Sequence, residues 1–202
     1  MVSQSQKPLI LFIGCSNRTG DNSNTVIAMR VAEKAVAISA KTETYFLKRK
    51  YPPKDKIEQA TGIIFGMPVY FGHYPSLLGE FIDYLRKEKI ELYPKVAGFI
   101  SIGAKRNGGQ ETTILSAAWD IMELGAVVVN DGSPISQFGG VCVAGNKEDV
   151  LRDIEGLKTC EFLGKRVMET SLILQSGNLK EKIKIRKWDT EKLLKENKIE
   201  RC

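Results

Sequence analysis

A chain of 202 residues with 43% hydrophobic content is long enough for one well-buried core and sits near the upper edge of a single domain. No stretch approaches the roughly 20 apolar residues of a membrane-spanning helix, and the run LILFIGC before Ser16 is too short for a signal-peptide core of roughly 7–15 residues, so a cytoplasmic, membrane-free protein is expected. The formal charge of +6 does not point to nucleic acid: residues 178–202 hold nine Lys or Arg against five acids, so the tail alone carries +4, with acids interleaved among the bases and no aromatic ladder beyond Trp188.

Residues 9–14 form a short apolar run ending in glycine, which reads as a strand buried on both faces. Ile27, Val31, Ala35 and Ile38 follow at helical spacing after the cap candidates Asn22, Ser23 and Asn24, predicting a helix. Residues 42–47 alternate as a second strand, 48–55 are a polar connection with Pro52 and Pro53, and a short helical piece leads to a third buried strand at 62–66. A helix at 75–87 offers Leu77, Leu78, Phe81, Ile82 and Leu85 to a core, and 96–102 is a fourth strand. The next helix, 110–124, turns Ile114, Ala117, Ile121 and Leu124 inward and ends at Gly125, before a fifth strand at 126–129. Residues 132–145 read as a long Gly, Ser and Pro loop, and 147–174 as one helix or two, broken near Gly156 or Gly164.

Five buried strands alternating with helices predict an α/β fold, a doubly wound five-stranded parallel sheet with helices on both faces. The flavodoxin-like strand order 2-1-3-4-5 is favoured, with its ligand crevice outside the carboxyl ends of strands 1 and 3. Residues 1–177 make the domain, and 178–202 a basic arm or tail. Cys15, Cys142, Cys160 and Cys202 form no CxxC pair or zinc-type spacing and are read as free thiols. With His73 the only histidine, no metal ligand and no catalytic side chain is assigned.

Three loops at one sheet end carry the chemistry. Between strand 1 and its helix, Ser16, Ser23 and Thr25 offer hydroxyls, Asn24 an amide and Arg18 a fork for anionic oxygens, beside a helix start. The loop lacks both GxxxxGK[ST] and GxGxxG, which leaves a site for one monophosphate. After strand 3, Pro68, Val69, Tyr70, Phe71 and Gly72 place apolar groups at a solvent-facing strand end, where a flat aromatic ligand would cover them. After strand 4, Gly108 and Gly109 allow backbone to approach a planar group, with Lys105 or Arg106 near its polar side and Gln110 opening the next helix. Each loop alone also reads as an ordinary turn; the three together favour the ligand.

At these residues the sequence resembles a known family. Residues 14–25, GMPVYFGHYPSLLGEFIDYL, RNGGQETTIL and the later LGKRV look like the NADPH-dependent FMN reductase and iron-sulfur flavoprotein family, in order over about residues 8–170. The resemblance implies FMN with its phosphate on Ser16, Arg18, Ser23, Asn24 and Thr25, its ring and ribityl chain along Pro68, Val69, Tyr70, Phe71 and Gly72, and Gly108, Gly109 and Gln110 on the other side, where Arg106 is the basic candidate beside the ring. Two departures stand out. The stretch LKRKYPPKDKIEQA, where iron-sulfur members carry a cysteine cluster, has no cysteine, so no iron-sulfur cluster is expected; and the first loop is Gly14-Cys15-Ser16-Asn17-Arg18 in place of Gly-Ser-Pro-Arg.

The implied function is an FMN-dependent oxidoreductase, with NAD(P)H as co-substrate and a flavin, quinone or other small molecule as acceptor. The alternative is a flavodoxin-like electron carrier or accessory flavoprotein that does not use NAD(P)H, and a third class is a flavin-free binding module using its basic tail. A homo-oligomer, dimer or tetramer, is expected because family members assemble and an arm with Ile183, Ile185 and Trp188 needs burial. Neither nucleic acid nor membrane is expected as a partner.

Overall fold

The computed structural model describes residues 7–135 and 137–176. The tail assigned to 178–202, and the arm contacts expected of it, lie outside the described residues. In chain order the elements are β1 (Leu9–Gly14), α1 (Asn24–Val36), β2 (Lys41–Phe46), α2 (Lys54–Gln59), β3 (Gly62–Pro68), α3 (Ser76–Lys87), β4 (Val96–Gly103), α4 (Gln110–Glu123), β5 (Val127–Val128), β6 (Gly140–Val143), a 3-10 turn (Asp149–Arg152) and α5 (Ile154–Ser176). None of these helices is long and apolar enough to cross a membrane.

All strand pairings in the sheet are parallel, in the order β2-β1-β3-β4-β5. The expected α/β flavodoxin-like topology is therefore present. Its fifth position is different in detail: β4 pairs with β5 at Val96 and Ala97, and with β6 from Ile100 to Gly103. Because β3 occupies the other side of β4, β5 and β6 lie end to end on the same edge. The stretch read as one long loop at 132–145 thus contains a sixth strand. Its outward amides do not remain open for another chain: Val141 N–H donates to Thr159 Oγ1 at 2.8 Å and Val143 N–H to Asp153 Oδ2 at 2.7 Å.

Period-two alternation in the central strands divides the core. Leu11, Ile13, Ile63, Phe65 and Phe99 pack with Phe81, Ile82, Ile114 and Ile121 of α3 and α4. On the other face Ile10, Phe12, Ile64 and Ile100 pack with Ala28, Ala32, Leu163 and Val167 of α1 and α5. The helix expected from the spacing of Ile27, Val31, Ala35 and Ile38 is present, but its buried residues are Thr25, Val26, Ala28, Met29, Ala32 and Val36, and Ile38 lies beyond its end and is 85% exposed. Small residues face inward because neighbours come close. A Cβ on Gly164 of α5 would sit 2.7 Å from Ala32 O.

The helix from Ile154 to Ser176 passes through Gly156 and Gly164 without a break, so these glycines serve packing. Gly164→Ala is expected to destabilise the protein by about 1–3 kcal/mol, since the clash is with backbone that has no rotamer to change. A urea midpoint equal to the parent's would contradict that reading.

Candidate functional site

The carboxyl ends of β1, β3, β4 and β6 surround a recess of about 220 Å³. Its floor is the start of α1. Ser23 takes the N-cap position with extended backbone and no side-chain cap bond, and the first turn holds no acid. The amides of Asn24, Thr25 and Val26 have no acceptor among the described residues, as the geometry of a helix start dictates. Ser16, Ser23 and Thr25 bring buried hydroxyls to the same place, 4%, 7% and 4% exposed. Ser16 Oγ accepts from Arg18 N–H at 3.0 Å, which leaves its proton to give, and Arg18 stands exposed at the rim. Unpaired amides, hydroxyls and the positive end of a helix dipole make a cradle for an anion.

Neighbouring loops hold this cradle in shape. Cys15 N–H donates to Gly66 O at 2.7 Å and Leu47 N–H to Gly14 O at 3.0 Å, extending the sheet register into the loop. Arg49 donates from Nε to Thr19 Oγ1 at 3.1 Å and from Nη2 to Thr19 O at 3.2 Å. Burial pushes the Cys15 thiol well above the usual cysteine range, so it is an inert core group rather than a nucleophile.

The second loop gives one wall. Pro68, Val69 and Tyr70 line the recess, and Val69 N–H is tied to Ile102 O at 2.9 Å. Phe71 and Gly72 do not line it. They form the tip of a tight turn closed by two 3.0 Å bonds between Tyr70 and His73, with both tip residues at positive φ, 52° and 77°. The Phe71 ring stands fully in solvent.

The third loop meets the second and turns its polar groups on itself. Gly109 has φ 92°, and a Cβ there would lie 3.0 Å from Gly72 Cα, so the two glycines are what lets these loops touch. Gln110 is buried, accepting from Gly108 N–H at 2.8 Å and donating from Nε2 to Lys105 O at 3.0 Å and Cys142 O at 3.4 Å. Arg106 and Gln110 line a separate recess of about 490 Å³ beside β6.

The structure therefore gathers Ser16, Arg18, Ser23, Asn24, Thr25, Pro68, Val69 and Tyr70 around one recess, while Phe71, Gly72, Arg106, Gly108, Gly109 and Gln110 are not part of its lining. Within the gathered set, the Asn24 amide is engaged elsewhere: Nδ2 donates to Asn146 O at 2.7 Å and Oδ1 accepts from Val150 N–H at 3.3 Å. Sequence reasoning missed Ile102 and Ala104 at the end of β4, and Ala144 and Gly145 after β6. The signal for the last pair was present, since Val141, Cys142 and Val143 followed by small residues repeat the pattern of β1 running into Gly14.

The sequence matches the family model described as NADPH-dependent FMN reductase over residues 8–140. The chain belongs to that family. It is 38% identical over 122 residues to an iron-sulfur flavoprotein of Methanocaldococcus jannaschii, covering 59% of this chain and 63% of that protein, so it spans less than two thirds of that relative's length. An NAD(P)H dehydrogenase (quinone) of Acidovorax ebreus is 28% identical over 171 residues, 76% of this chain and 84% of its own. Among solved structures, RosB with bound 8-demethyl-8-formylriboflavin-5′-phosphate superposes with a TM-score of 0.67 at 14% identity, over 88% of this chain and 86% of RosB, a likeness of fold. No group of three or more His, Cys, Asp or Glu among the described residues is placed to hold a metal ion.

Proposed function

We propose that the recess holds FMN by its phosphate and that the protein is an oxidoreductase taking a hydride from NAD(P)H and passing electrons to a small acceptor such as a flavin or quinone. The observation that carries this reading is the start of α1, where three amides without acceptors and three buried hydroxyls converge with no acid in the turn. One phosphate group saturates such a cradle, and the apolar wall of Pro68, Val69 and Tyr70 beside it suits a flat ring. When bound, the flavin supplies the hydride and electron chemistry. The chain's own part is to fix the phosphate, to offer the Pro68, Val69 and Tyr70 wall to the ring, and to leave one side of the site open.

We further propose that no iron-sulfur cluster takes part. Residues 47–60 contain no cysteine, and Cys15, Cys142 and Cys160 are all buried in the core. Self-association is supported by the exposed apolar residues Leu115, Trp119 and Met122, which recur along one face of α4. Sedimentation of Trp119→Glu is expected to show a smaller species than the parent protein.

The functional reading is tested by spectroscopy. The purified protein is expected to bind FMN with oxidised-flavin bands, and anaerobic NADPH or NADH is expected to bleach them. Flavin bound but bleached by neither nucleotide would favour the electron-carrier alternative, and no flavin affinity at all would defeat both.

A further inference from the structure

At the amino end of the sheet, remote from the flavin recess, the fold holds a cation with no counter-ion among the described residues. Lys95 precedes β4 and is 8% exposed. Its Nζ donates to Glu58 O in the last turn of α2 at 3.0 Å, and no carboxylate among the described residues lies within ion-pair distance of it. The Glu58 carboxylate faces Lys54 instead, at 4.0 Å. An ammonium carries three donors, so two of them have no acceptor among the described residues. Burial accordingly pushes Lys95 below the ordinary lysine range, with Glu58 partly opposing the shift.

Lys95 lines a recess of about 200 Å³ between the end of α2 and the last turns of α5. Ala60, Pro94 and Leu174 give it apolar walls. Its two hydroxyls have already given their protons, Ser171 Oγ to Thr61 O at 3.2 Å and Thr61 Oγ1 to Leu9 O at 3.2 Å. Glu58, Gln59 and Gln175 also line it, and Lys95 is the one cation among its lining residues. A buried charge is stable when paired and hydrogen-bonded, and what this one lacks is a monovalent acceptor small enough to enter.

We propose that this recess is a binding site for a small aliphatic monocarboxylate, with the carboxylate on Lys95 Nζ and the carbon chain against Ala60, Pro94 and Leu174. One oxygen pair takes the two unused donors and neutralises the ammonium, while Glu58 O keeps its bond. The volume equals that of roughly six or seven water molecules, enough to take acetate to butyrate whole. The apolar walls and single cation select against phosphate, whose second charge would find no partner.

The test uses the full-length protein carrying its flavin, titrated with sodium butyrate and followed by ligand-observed NMR. Butyrate is expected to saturate one site, with uncharged butyramide and inorganic phosphate each at least about tenfold weaker. Lys95→Gln is expected to weaken butyrate about tenfold or more while the flavin spectrum stays unchanged. Leu174→Trp, which keeps Lys95 and fills the recess from its rim, is expected to abolish saturation, so the proposal remains testable if Lys95→Gln fails to fold. Equal binding of butyrate and butyramide, phosphate binding as tight as butyrate, or butyrate binding unaltered in either variant would overturn it.

Discussion

Ser23→Asp is expected to weaken FMN binding by about 100- to 1,000-fold while leaving riboflavin binding unchanged and the fold at least as stable. Ser23 is the N-cap of α1, with extended backbone and no side-chain cap bond of its own. Aspartate is as good a cap as serine, and its charge favours the positive end of the helix. Its carboxylate would accept from the Thr25 and Val26 amides, the same donors that a phosphate needs. The anion site would then be filled by the protein itself. Repulsion between that carboxylate and a phosphate about 4 Å away is worth about 4 kcal/mol at the effective dielectric of a partly buried site. Riboflavin lacks the phosphate and escapes this repulsion, so fluorescence titrations with both flavins isolate it. Ser23→Ala, which removes one hydroxyl and keeps the amides, is expected to lose only about three- to tenfold. Equal losses of FMN and riboflavin in Ser23→Asp would show that the phosphate does not sit at α1.

That cradle was legible because it is local. A buried strand ending in glycine, hydroxyl and amide side chains, and then a helix follow one another in sequence, and the same holds for the glycines that let loops two and three meet. What could not be read locally depended on tertiary distance. Ile27, Val31, Ala35 and Ile38 carried the helical spacing, but the face of α1 packed against α5 and β3 is that of Val26, Met29, Ala32 and Val36, with small residues where backbones come closest. Ala32 faces Gly164, and a Cβ on Gly66 would strike Met29 Sδ. β6 has only four residues, too few for periodicity to declare, and it exists because β4 outlasts β5 and leaves its last carbonyls and amides needing a partner. The fourth wall at Ala144 and Gly145 went unseen with it. Asn24 and Gln110 were expected at the site from sequence, yet only the folded chain shows their amides turned toward Asn146, Val150, Lys105 and Cys142.

Gln110→Glu offers the sharpest test of that last distinction, because it converts a positioning role into a pH profile. The side chain is 2% exposed and meets one donor, Gly108 N–H, and two acceptors, Lys105 O and Cys142 O. A protonated glutamic acid can keep the Gly108 bond and donate once, so its structure and FMN affinity are expected near those of the parent at about pH 5 or below. An ionised carboxylate would face two carbonyl oxygens in a buried place, which raises the folded-state pKa above the unfolded value of about 4.3. With the folded pKa raised, the variant's stability is fully present below the unfolded pKa and is lost as pH rises through the folded one. Every pH unit between the two values is worth about 1.4 kcal/mol, so a folded pKa about two above the unfolded one predicts a loss of about 3 kcal/mol by about pH 8. FMN affinity is expected to fall with it, by about 30- to 100-fold, because the loop from Lys105 to Gly109 loses its tie to β6 and with it the approach of Gly109 to Gly72. The parent is expected to show a flat profile over the same range, and Gln110→Ala a uniform loss. A flat profile for Gln110→Glu would mean that its amide is not what joins the third loop to β6.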